Sequence, residues 1–179
     1  MIGFLRFLGI LNAGVWLGAA IFFTFGAGPA IFSLDVQQAL QGVKNPQYSA
    51  GVIAQLIIAR YFRLQVICCF LALLHVVGEW LYCGRSPRRF WLSLLVTLVL
   101  AGLAGDYWLQ PKLKQLHTIK YSAAESQQSR DAAAQSFRAW HGISQSVNLL
   151  MLIGLATYLW RLTNPPEEGR FHSSARFVG

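Results

Sequence analysis

Leu64–Cys83 reads LQVICCFLALLHVVGEWLYC, a run of apolar residues interrupted by one acid, Glu79, and one histidine, His75. A helix rises 1.5 Å per residue, so crossing a hydrocarbon layer about 30 Å thick takes about 20 mostly apolar residues. This run has that length. Three more stretches share its character: Phe7–Leu34 has no charge, Phe90–Gln110 has only Asp106, and Gly142–Trp160 has none. Only helices and closed barrels satisfy their own backbone in lipid, and uninterrupted apolar runs of this length are helical. The expected fold class is therefore all-α integral membrane, a four-transmembrane-helix bundle. Its spans are expected at about 5–28, 62–83, 88–109 and 141–161 within a single domain, 1–163, followed by a flexible cytoplasmic tail, 164–179.

The composition agrees. Of 179 residues, 55% are hydrophobic and 12% charged, about half the charge of a soluble domain. The first apolar run follows Arg6 but is about twice as long as the 7–15 residues of a signal-peptide core, so it is expected to be retained. The net charge of +8 comes mostly from Lys and Arg flanking the apolar runs, where anionic lipid would face them. No basic stripe interleaved with aromatics suggests nucleic acid. Cys68, Cys69 and Cys83 form no CxxC and read as small buried hydrophobes.

Boundary signals predict where the helices begin and end. Ser86-Pro87 should open helix three. Ser122-Ala123-Ala124-Glu125 has capping-box spacing and should start helix four outside the bilayer, near Ala123. Ser49 should cap a helix from Ala50 that continues as the second span. Helices two and four thus extend beyond the membrane. Gly26–Pro29 should end helix one, Gln41–Pro46 reads as a loop, and Pro111 should kink or end helix three.

Loop charge sets the expected orientation. With four spans, segments 1–6, 84–89 and 161–179 share a side and hold seven Lys and Arg in 31 residues, against eight in 66 for 35–63 and 106–142. The denser side is expected to be cytoplasmic, with both termini there, in a bacterial inner membrane. Trp80, Tyr82, Trp91, Tyr158 and Trp160 would mark one interface, and Tyr61, Tyr107, Trp108 and Trp140 the other.

His75 and Glu79 are four apart and share a helix face. Ionisable groups at that depth are functional candidates; the competing reading is a polar pair that holds the bundle together. Asn12 is expected at the depth of Glu79, within hydrogen-bond reach. Gly14 and Gly18 form a GxxxG, which lets a second backbone approach. On helix four, His141, Ser144, Gln145 and Asn148 follow the i, i+3, i+4, i+7 spacing of one stripe. That stripe could line a water-filled cleft or bond to neighbouring helices. Asp106 is placed to pair with Arg63, Arg138 or His141. His117 and His172 read as surface histidines. There is no GxGxxG, P-loop, HExxH, CxxCH or GxSxG.

Three segments carry a family resemblance: Trp16–Phe23 continuing to Gly28–Phe32, Ala50–Ile53 leading to Arg60-Tyr61-Phe62, and Phe137–Ser144 with Asn148-Leu149-Leu150. Their order resembles the domain of unknown function 4149, the transmembrane-protein-205-like domain, over roughly residues 7–160. The resemblance implies a small four-helix membrane protein of unassigned activity. The chain also looks distantly like the copper-resistance D-type proteins and the membrane protoporphyrinogen oxidases, which hold copper or haem on helix-end histidines; it lacks their early helix-one histidine.

The leading expectation is a non-enzymatic, transporter-like or accessory protein with a polar intramembrane cleft lined by Asn12, His75, Glu79, Arg138, His141, Ser144 and Asn148. No cofactor is predicted. The runner-up is a haem- or metal-binding redox protein with His75, Glu79 and His141 as candidate ligands. A third reading is an assembly subunit in a homo-oligomer or larger membrane complex. The lipid bilayer is the partner common to all three.

Overall fold

The structure, a computed structural model, describes residues 2–83 and 89–164. The described residues form helices α1 (Ile2–Ile21), α2 (Gly28–Ile31), α3 (Leu34–Ala39), α4 (Pro46–Cys83), α5 (Arg89–Ala104), α6 (Gln110–Tyr121) and α7 (Gln127–Thr163). A π-turn, Phe22–Ala27, fuses α1 to α2, and another, Gly105–Leu109, fuses α5 to α6. The result is four long rods, each long and apolar enough to cross a membrane. No strand occurs among the described residues.

The rods run up and down. Arg6, near the start of the first, donates to the carbonyls of Leu162 (3.3 Å) and Thr163 (2.8 Å) at the end of the fourth. A guanidinium there satisfies helix-terminal carbonyls and faces the negative end of the helix dipole. Arg161 lies over the Trp91 ring at 5.4 Å, tying the end of the fourth rod to the start of the third. This shared end is the near end of the bundle, and the opposite end is the far end.

The core occupies the near half and the middle. Ala13, Trp16 and Ala20 of α1 meet Cys68, Cys69 and Ala72 of α4, Leu95 and Leu98 of α5, and Leu155, Tyr158 and Leu162 of α7. Small residues on α1 and α4 let these helices approach closely, as lipid-embedded helices require when no hydrophobic effect drives them together. Gly9 shows the tightest fit: a β-carbon there would collide with Nε2 of His75. Tyr158, expected in an interface belt, is 1% exposed and belongs to this core. Trp80, Tyr82, Trp160, Tyr107 and Trp108 are exposed, whereas Tyr61, Trp91 and Trp140, expected in the same belts, are partly buried against neighbouring helices.

Several boundaries differ from expectation, each for a local reason. The second rod starts at Pro46, not Ala50, because the Asn45 side chain caps it by accepting from the Tyr48 amide at 3.2 Å; asparagine followed by proline at the first helical position is a strong start. The fourth starts at Gln127, because Ser126 caps it by accepting from the Ser129 amide at 3.1 Å. Ser122 instead accepts from Ala124 in the preceding turn, at 3.3 Å, so no capping box forms. The first rod passes Gly26 and Pro29 and ends at Ile31, and Pro111 does not stop the third. In both cases the π-turn precedes the proline: Gly28 donates to Phe23, and Gln110 to Gly105, five residues back. The wider turn accommodates a ring that would clash with a regular helical turn. The third rod therefore extends past the apolar layer beside the second and fourth, carrying Lys112, Lys114 and Lys120 on α6. The short helix α3, capped by Ser33 through the Val36 amide, falls in a stretch with no expected helix of its own. The Ser86-Pro87 start, Arg85, Arg88, His172 and the tail from residue 165 lie outside the described residues.

Candidate functional site

The polar side chains within the bundle fall into two groups. In the near half, His75 is 5% exposed and its Nε2 lies 3.9 Å from Glu79 Oε1. Neither ring nitrogen has a hydrogen-bond partner among the described residues, and the same holds for Trp16 Nε1 and Tyr158 OH. Asn12 does not reach Glu79. It donates to the Cys68 carbonyl at 2.9 Å. Close approaches of Gly9 to His75 and of Leu5 to Gly78 fix the antiparallel register, which sets Asn12 about two turns from the level of Glu79. The apolar pattern of helix one carries no mark of this offset, so Asn12 and Glu79 read as level when they are not.

In the far half, the four rods enclose a cavity of about 560 Å³. Of the seven cleft candidates, His141, Ser144 and Asn148 line it, joined by Gln145; Asn12, His75, Glu79 and Arg138 do not. The expected single cleft is thus divided, because the packed core intervenes. Both π-turns contribute to the wall: Phe23 and Thr24 from one, Gly105, Trp108 and Leu109 from the other. Such turns widen a helix locally and recur at functional sites. Phe23 stacks on Tyr61, ring centroids 4.6 Å apart, and Trp108 meets Trp140 edge to face at 5.0 Å. Gly105 has no room for a side chain, since a β-carbon would meet Phe62 at 2.5 Å.

Polar groups in the wall are ordered by a short chain. Asn148 Nδ2 donates to Thr24 Oγ1 at 2.6 Å, and the Thr24 hydroxyl donates to the Ala20 carbonyl at 2.7 Å. Gln65 is 1% exposed and lines the same cavity. Its Nε2 contacts the Met151 sulfur at 3.6 Å, and its Oε1 has no partner among the described residues. Sequence reasoning missed Gln65. The signal was one amide just inside the second apolar run, overlooked beside the histidine and the acid.

The residues 11–122 match the sequence profile of a family described as a domain of unknown function, DUF4149. The chain belongs to the DUF4149 family. An uncharacterized protein of Aquifex aeolicus (strain VF5) is 26% identical over 138 residues, covering 77% of this chain and 81% of its own length. No solved structure matches the chain. In this DUF4149 protein the matched region includes Thr24, Gln65, Gly105 and Trp108 from the cavity wall, while His141, Ser144 and Asn148 lie beyond it.

The remaining expectations fall outside the cavity. No ion pair joins Asp106 to Arg63, Arg138 or His141 among the described residues. His117, expected on the surface, is 5% exposed. Its ring lies against Gly51, where a β-carbon would collide with Nε2, and between Tyr48 and Tyr121 at 5.3 and 5.0 Å. It joins the three rods where they extend past the apolar layer. Among the described residues, no cluster of three or more His, Cys, Asp or Glu side chains is placed to hold a metal ion. A β-carbon added at Gly14 or Gly18 would have nothing within 4 Å, so the GxxxG face points away from the bundle.

Proposed function

We propose that this DUF4149 protein is a non-enzymatic, transporter-like or accessory membrane protein that binds a small molecule in its far-half cavity. The observation that carries the reading is Gln65: an amide with an unpaired oxygen, almost fully buried, in the wall of a cavity of about 560 Å³. Ligand cavities are commonly about 300–1,000 Å³, mostly apolar, with a few placed polar groups. An amide oxygen left unpaired in an apolar layer costs about 1–3 kcal/mol, a cost that a bound partner removes. The stripe of His141, Ser144 and Asn148 supports the same reading, since all three line that space, although Asn148 also bonds Thr24 of the first rod.

We also propose that both termini lie on the cytoplasmic side of a bacterial plasma membrane. The support is the positive charge concentrated on segments 1–6, 84–89 and 161–179, together with the contact of Arg6 with the end of α7. The cavity then opens in the half of the bundle away from the cytoplasm.

The test is native mass spectrometry of protein released from nanodiscs, comparing wild type with Ala104→Phe, which places a ring in the cavity. Wild type should retain a bound small molecule that the variant loses. Identical spectra would overturn the binding reading. For orientation, a membrane-impermeant maleimide on intact cells should label Ser129→Cys and spare Arg88→Cys; the reverse pattern would invert the proposed topology.

A further inference from the structure

Among the described residues, the wall of the far-half cavity contains no Asp, Glu, Lys or Arg. Its polar groups are neutral amides and hydroxyls, with His141 at the far end of the stripe. A charged headgroup entering such a space would lose its hydration and find no counter-charge, a cost of several kcal/mol in an apolar medium. An uncharged occupant avoids that cost.

Gln65 narrows the class further. Its unpaired oxygen is an acceptor enclosed just behind the cavity surface, so an occupant that engages it turns the side chain toward the cavity and supplies a donor. A hydroxyl group donates without carrying a charge, whereas a ketone, ester or ether only accepts. Asn148 already uses its Nδ2 on Thr24, which leaves its amide oxygen as a second acceptor on the same cavity.

The cavity wall also meets the outside of the bundle. The third and fourth rods touch near the middle, where a β-carbon on Gly154 would come 2.9 Å from a Leu98 methyl, and again at the Trp108–Trp140 pair. Between these contacts, cavity-lining residues Ile143 and Val147 are 51% and 38% exposed. In that interval the cavity wall reaches the outer surface of the bundle.

Resting on the cavity reading above, we propose that the site takes an uncharged, hydroxyl-bearing amphiphile from the surrounding leaflet, with its hydroxyl on Gln65 and its hydrocarbon body along the aromatic wall. A volume of about 560 Å³ suits one chain or a compact ring system.

Three photoactivatable probes test this in phosphatidylcholine nanodiscs: a diazirine-bearing long-chain alcohol and the matching carboxylate and amine. Crosslinks are mapped by peptide mass spectrometry. The alcohol should label the cavity wall about tenfold more than either charged probe, the ratio expected for about 1.4 kcal/mol. Unlabelled alcohol should compete, and its methyl ether, which cannot donate, should compete about tenfold less well. Gln65→Leu should abolish the difference between alcohol and ether; the competition in wild type tests the same point if that variant fails to fold. Equal cavity labelling by all three probes, or equal competition by alcohol and ether, would overturn the proposed class while leaving a binding cavity. No cavity labelling by any probe, with Ala104→Phe indistinguishable from wild type, would overturn the cavity reading itself.

Discussion

The near and far halves of this bundle use the same four helices in opposite ways. In the near half, Trp16, Leu95, Leu155 and Tyr158 are at most 1% exposed. There the polar atoms of Trp16, His75 and Tyr158 are enclosed without partners among the described residues. In the far half, two π-turns and a ring of aromatics hold the helices around a cavity, and the polar residues of α7 face into it. Packing is complete in the near half at the expense of polar groups, while space is kept in the far half at the expense of packing. The difference teaches where to look for function: polar side chains that line space, such as Ser144 and Asn148, can be met by a ligand, and Gln65 needs only a turn of its side chain toward that space, whereas those of the near half have no space beside them to turn into.

Truncation should break the symmetry of the helices most sharply. Leu155→Ala, in the near half, should cost about 3–4 kcal/mol, the range for a buried leucine whose surroundings collapse only partly. Val147→Ala, two turns away on the same helix and at the cavity, should change stability by less than about 0.5 kcal/mol. Equilibrium unfolding in mixed detergent micelles measures both. Equal costs would mean that the far half is as tightly packed as the near half.

Adding atoms tests the same contrast from the other side. Gly9→Ala would bring a β-carbon against His75 and should cost about 2–3 kcal/mol, as overpacking does. His75→Ala in the same chain should recover most of that loss, because the two side chains would no longer compete for one space. Additive losses in the double variant would show that Gly9 matters for some reason other than this contact.

His75 itself gives the next smaller effect. Both of its ring nitrogens are buried without partners among the described residues, and Glu79 at 3.9 Å is too distant for a hydrogen bond. Replacing a buried, unsatisfied polar group by an apolar one of similar size is neutral or stabilising. His75→Leu should therefore raise stability by about 1 kcal/mol, read as a later unfolding midpoint. A drop of that size would reveal a polar partner for the ring and return His75 to the list of working residues.

The overall architecture was readable from the sequence because membrane crossing leaves a long, coarse signal: four nearly uncharged runs of the right length, as in Leu64–Cys83. The site was readable only in part. The 3.6-residue period put His141, Ser144 and Asn148 on one face of α7, and they do share the cavity. Depth was harder, since a helix can slide along its neighbour with no change in its own pattern; the contacts of Gly9 with His75 and of Asn12 with Cys68 set the register. The π-turns were hidden because Gly-Pro and Gln-Pro normally mark helix ends, and the wider turn that admits each proline ring leaves no periodic mark in the sequence. Gln65 was hidden because a single amide in an apolar run carries no periodicity.

Asn148→Leu removes the bond to Thr24 and should cost about 0.6–1 kcal/mol, the usual worth of an interhelical hydrogen bond in lipid. The same substitution should weaken labelling of the cavity by a hydroxylated probe, which separates it from the near-half variants, whose effects should be on stability alone. The smallest effect is expected at Gly14. In a helix buried against a neighbour, leucine in place of glycine would force the backbones apart. Here the face is open, with nothing near a β-carbon at Gly14 or Gly18. Gly14→Leu should therefore leave unfolding unchanged within about 0.5 kcal/mol, even though it lies one residue from Ala13, which is fully buried in the near-half core. If it destabilised the protein as much as Gly9→Ala, the first helix would have to be rotated from the position described, and the assignment of its core face, Ala13, Trp16 and Ala20, would fail with it.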